Sequence, residues 1–120
     1  MGLDLQHMVP SGQSLGIGYI GFAEYRRLLA RDAAGIDLDT MTAFGGNQPW
    51  PSTATQPLVL LLRHSDCDGW LYPSECESLR PVMDAFVPPT AWPEWARDYH
   101  FRLAALVDKC ADEGGVIRFH

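Results

Sequence analysis

The residues His64, Asp66, Asp68, Gly69, Trp70 and Glu75 carry the pattern in this chain that could do chemistry. The stretch from His64 to Glu75 nearly repeats the twelve-residue loop with which EF-hands wrap calcium. Such a loop takes oxygen ligands from positions 1, 3 and 5, a backbone carbonyl from 7 and a bidentate glutamate from 12, with glycine at 6 for the sharp turn. Asp66, Asp68, Gly69, Trp70 and Glu75 fall on positions 3, 5, 6, 7 and 12, and Leu71 supplies the apolar residue usual at 8. His64 stands where the first aspartate belongs. The expected metal set is therefore His64, Asp66, Asp68, Trp70 and Glu75, and the expected cofactor is calcium.

Two other readings compete for the same residues. In one, Asp66, Asp68 and Gly69 make an Asx-type turn, and Glu75 serves the N-terminus of a helix. In the other, His64, Cys67 and Cys76, with Asp68, hold a transition metal. Zinc cysteines usually lie two to four residues apart, whereas these lie nine apart and no second Cys or His pair follows. A catalytic thiol is the weaker choice for Cys76 and Cys110, because acidic neighbours flank Cys76 and small apolar burial explains both. His100, beside Tyr99 on a helix, reads as a surface or rim residue.

The elements that must position this loop follow from periodicity. Leu3 to Met8 alternates as a short strand, with Leu3, Leu5 and His7 on one face. Gly16 to Gly21 is a second short strand or the lead-in to a helix. Its Gly-x-Gly-x-x-Gly spacing lacks the βαβ setting of a dinucleotide site. Phe22 to Ala34 has helical spacing, with Arg26, Arg27 and Arg31 off the apolar face and Gly35 as the cap. Ile36 to Gln56 is a long connection, packed by its own Phe44 and Trp50 or functional. The apolar run Pro57 to Leu62 is the strongest strand candidate, buried on both faces, with the cation loop leaving its end. A helix then starts at Pro73, or at a capping box of Ser74 and Glu77, and stops at Pro88-Pro89. A last helix runs from near Pro93 to about Asp112, before Gly114-Gly115, and Val116 to Phe119 closes the chain as a strand. The expected architecture is α/β or α+β, a single compact domain spanning residues 1–120, with a small sheet covered by about three helices.

Composition limits what such a domain does. A formal charge of -6 disfavours nucleic-acid binding, since phosphate contacts need clustered basic residues. The longest strictly apolar run, Leu58 to Leu62, is too short for a bilayer span. With no signal-type leader and an odd number of cysteines, the expected compartment is the cytoplasm, with free thiols.

The block His64-Ser65-Asp66-Cys67-Asp68-Gly69 resembles one found in a family of small uncharacterised bacterial and phage proteins. Members are similar in a Met-Gly-Leu-Asp-Leu type start, a turn like Phe44-Gly45-Gly46 and an acidic-Cys helix start like Glu75-Cys76. Trp70 departs from the family, where an acidic residue is commoner. The resemblance implies a cytoplasmic or phage setting and carries no reaction chemistry. The expected function is a non-enzymatic binding or accessory protein of phage or bacterial origin with an EF-hand-like cation loop, acting on a host protein or small molecule. The alternative is a metal-assisted hydrolase in which Asp66, Asp68 and Glu75 hold the ion and His64 or His100 is the general base.

Overall fold

Alternation of apolar and polar residues makes the first strand half-buried, and the computed structural model, which describes residues 2–9, 12–66 and 68–120, shows this directly. In β1 (Gly2–His7) the side chains of Leu3, Leu5 and His7 are buried while Asp4 faces solvent. β1 pairs antiparallel with β2 (Ser14–Gly18), Leu5 opposite Leu15 and Asp4 opposite Gly16. At the other end of the chain β4 (Ile117–Phe119) lies along the opposite side of β1, and β3 (Trp70–Leu71) pairs with β4. The result is a four-stranded antiparallel sheet in the order β2-β1-β4-β3. Leu3, Leu5, Leu71, Ile117 and Phe119 all belong to one buried cluster shared with the helices. Asp4, Trp70 and Arg118 occupy the other, solvent-facing side.

The helices end where their local chemistry says they should. α1 (Tyr19–Leu29) continues as a five-residue π-helical turn, Ala30–Ala34, and Gly35 ends it in the left-handed region at φ +67. α3 (Pro73–Ala85) begins with Pro73 as its first residue. α4 (Glu94–Glu113) buries Tyr99, Leu103, Leu106 and Cys110 and ends at Gly114. His7 closes that end: its Nε2 donates to the Gly114 carbonyl at 2.7 Å. Arg80 of α3 reaches Asp108 and Asp112 of α4 at 3.1 and 2.6 Å. The long connection folds back through a bridge between Met41 and Gln48 and is packed by its own rings, Phe44 against Trp50 at 5.8 Å.

The apolar run before the loop is not a strand. Val59–Leu62 forms a single helical turn, α2, with the Leu62 N–H donating to the Leu58 carbonyl at 2.8 Å. A strand buried on both faces needs a sheet covered on both sides, and here the helices pack on one. A helical turn satisfies its own backbone and still buries Leu58, Val59, Leu61 and Leu62 against the core.

Cys76 and Cys110 are both buried and free, and burial pushes the Cys76 thiol well above its ordinary range. Their role is apolar packing between α3 and α4. Cys67, named above as a ligand candidate, lies outside the described residues. Among the described residues no helix is long and apolar enough to cross a membrane.

Candidate functional site

The His64 to Glu75 loop is built on β4. The Phe119 N–H donates to the Gly69 carbonyl at 2.9 Å, which continues the β3 pairing back into the loop. Gly69 makes the sharp turn with φ +94, a conformation that costs a side-chain-bearing residue strain, and a Cβ there would come within 3.2 Å of the His64 ring. That ring lies flat on Phe119, with centroids 3.7 Å apart and planes 21° apart. Its Nε2 donates to the Trp70 carbonyl at 2.9 Å, and Nδ1 lies 2.8 Å from the Ser65 carbonyl. His64 therefore works as a brace across the base of the loop.

Glu75 is engaged on the other side. Its Oε1 accepts the Tyr72 N–H at 2.9 Å, the reciprocal half of a capping box at the start of α3. The carboxylate thus satisfies one of the donors that a helix start leaves without a partner. Of the five expected metal ligands, then, the Trp70 carbonyl and the Glu75 carboxylate already have partners within the chain, and Asp68 is exposed. Asp66 is half-buried and acts on Arg26 through space. Among the described residues no three His, Cys, Asp or Glu side chains are grouped as a metal ion would require.

Arg26 is the residue of this region that spacing did not reveal. It was expected off the apolar face of α1, yet only 4% of it is exposed. Its Nη1 donates to the His64 carbonyl at 2.6 Å and to the Leu62 carbonyl at 3.2 Å. The guanidinium sits 4.4 Å from the Phe22 ring centroid and 5.2 Å from that of Phe44. Burial lowers its pKa, and the Asp66 charge opposes that shift. Arg26 thereby ties α1 to the C-terminal end of α2 and the first residue of the loop. The one sequence trace of this role is its spacing four residues after Phe22, which puts both on one helix face.

With the loop braced at His64, Arg26 and Glu75, two aromatic side chains stand at the surface beside the exposed Asp68. Trp70 is 45% and Tyr72 52% exposed. The Arg118 guanidinium lies 5.6 Å from the Trp70 ring centroid. Register places Trp70 opposite Arg118, Arg118 opposite Gln6 and Gln6 opposite Ser14, one row across the solvent side of the sheet. The chain matches no family model, no curated protein and no solved structure. The site must therefore be judged on its own geometry.

Two other places were candidates for chemistry. His100, expected at the surface, is fully buried: its Nε2 donates to the Met83 carbonyl at 3.0 Å and its Nδ1 accepts from the Tyr25 hydroxyl at 2.9 Å. A general base must reach a substrate proton, so His100 is misplaced for that role. A cleft of about 520 Å³ runs between α1 and residues 35–39, lined by Arg27, Arg31, Glu24 and Asp39 among others. Its arginines are already answered, Arg27 by Glu24 and Asp39, and Arg31 by Asp32.

Proposed function

We propose that this protein acts by binding rather than by turnover, as an accessory protein of bacterial or phage origin whose anchor on a host protein or small molecule is Trp70. The observation that carries the reading is a half-exposed tryptophan under Arg118 on a loop whose backbone is fixed by His64, Arg26 and Glu75. Preorganised aromatic and arginine side chains at the centre of a patch supply much of the energy of association, because little is lost on ordering them. The phage or bacterial setting is supported by the resemblance of the His-Ser-Asp-Cys-Asp-Gly block alone. Once a partner is recovered and purified, Trp70→Ala is expected to weaken its binding by roughly thirtyfold or more, with an unchanged melting temperature. Metal-dependent hydrolysis of a phosphoester or peptide that Asp68→Asn abolishes in the folded protein would replace this reading with the hydrolase.

A cation in the same loop is the second reading, favoured by the positive φ of Gly69 and the exposure of Asp68. Calcium would have to take the Trp70 carbonyl from His64 and the Glu75 carboxylate from the Tyr72 N–H. Those hydrogen bonds contribute about 1 kcal/mol each, and the ion must offset both. The braced loop is accordingly expected to melt at the same temperature, within about 1 °C, in millimolar calcium and in chelator. A saturating ligand would instead stabilise the fold by roughly 2.7 kcal/mol at a hundredfold excess over its dissociation constant. A rise of that size in the parent, lost in Glu75→Gln, would establish the calcium site.

A further inference from the structure

Among the described residues the β2 strand is an edge of the sheet and pairs with β1 alone. Residues 3, 5 and 7 of β1 bond to β2, as the His7 N–H donating to the Gln13 carbonyl shows, so Leu15 and Ile17 turn their backbone groups toward β1. The N–H and C=O of Gly16, the N–H of Gly18 and the C=O of Ser14 therefore point away from the sheet. Among the described residues β2 has no strand neighbour but β1, and no turn or loop backbone group pairs with these groups. Natural edges are usually blunted by a charge, a proline or a bulge, and Ser14-Leu15-Gly16-Ile17-Gly18 has none of these. The opposite edge, β3, is only two residues long.

We propose that β2 pairs antiparallel with β2 of a second copy of this chain, about a two-fold axis through Gly16. The strand is palindromic in residue type about that glycine: apolar Leu15 and Ile17 flank it, and small Ser14 and Gly18 lie outside them. Centred there, the two Gly16 residues exchange N–H and C=O, and each Gly18 N–H meets the Ser14 carbonyl of the other copy. Leu15 then faces Ile17 across the axis. An outward residue register of this kind satisfies every free edge group named above except the Ser14 N–H, whose opposite carbonyl, on Gly18, caps α1.

Charge on the flanking helix fits the same axis. Two clefts of about 190 and 240 Å³ lie between β2 and α4. One is lined by Leu15, Gly16 and Ile17 with Trp95, Asp98 and Arg102, the other by Gln13, Ser14 and Leu15 with Arg102, Ala105 and Leu106. α4 thus runs antiparallel to β2, with Asp98 and Arg102 on either side of the level of Gly16. Asp98 and Arg102 of one chain pair with each other at 2.9 Å, and a two-fold axis through Gly16 lays the two exposed pairs side by side in opposite order, Asp98 of each copy toward Arg102 of the other, so the surface is self-complementary in charge. Pairing of like edges closes into a dimer with an eight-stranded sheet and leaves only the short β3 edges outside.

The test is sedimentation equilibrium of the parent and of Gly18→Pro. Gly18 already has φ -67, and a Cβ there meets nothing within 4 Å, so proline fits the fold while removing an edge donor. Expected is a dimer of the 13.3 kDa chain, and for Gly18→Pro a dissociation constant raised by roughly thirtyfold, with the circular dichroism and melting temperature of its monomer kept. Arg102→Asp should weaken the dimer, and the exchange Asp98→Arg with Arg102→Asp should restore it. A parent that stays monomeric at roughly millimolar chain, a dimer indifferent to Gly18→Pro, or an edge that takes up an extended peptide of another protein in preference to its own copy would each overturn the proposal.

Discussion

Arg26→Met is expected to destabilise the protein by about 3 kcal/mol and to lower its melting temperature by roughly 10 °C. Methionine keeps an apolar stem against Phe22 and Phe44 but leaves the Leu62 and His64 carbonyls without their donor. Each buried acceptor so abandoned costs about 1–3 kcal/mol. Arg26→Lys should recover part of the loss, since its ammonium can donate to these carbonyls but is more strongly hydrated than a guanidinium and lacks the planar face that lies against Phe22 and Phe44. Urea denaturation of the three proteins measures this directly. A loss below about 1 kcal/mol for Arg26→Met would mean that stacking of His64 on Phe119 holds the loop by itself.

His100→Leu should cost a similar amount, about 3 kcal/mol, because it strips partners from the Tyr25 hydroxyl and the Met83 carbonyl in the core. This residue also makes stability depend on pH. Burial lowers the His100 pKa below the ordinary imidazole value of 6.5, against the smaller opposing effect of its bonds to the Met83 and Phe86 backbone. Tyr25, the titratable group in contact with it, is itself raised by burial and stays neutral in this range. The unfolded chain therefore binds the proton more readily than the folded one. Stability contributed by the neutral ring is complete above pH 6.5 and is lost as pH falls from there toward the lower folded-state pKa, by at most about 1.4 kcal/mol per pH unit. Melting curves at pH 7.5 and 5.5 should show a larger drop for the parent than for His100→Leu. Equal drops in the two proteins would remove His100 as the cause.

Much of the scaffold was legible without coordinates because its cues are local. The alternation of Leu3 and Leu5, the helical spacing from Phe22 to Leu29, Pro73 at a helix start and Gly35 and Gly114 at helix ends act within a turn or two of chain. Such cues state which face of an element is apolar and where it stops. They were also enough to place Gly69 in a sharp turn and Cys76 and Cys110 in the core.

What tertiary structure alone decided is the partner of each buried polar group and the layer available to each apolar run. The unbroken apolar run from Leu58 to Leu62 reads as a buried strand, and the one-sided cover of the sheet made it a helical turn instead. Arg26 and His100 look like surface residues until the carbonyls of Leu62, His64 and Met83 and the hydroxyl of Tyr25 arrive beside them. Those groups lie up to 75 residues away in the chain. A polar side chain is buried only where its hydrogen bonds are met, and chain folding brings those partners together.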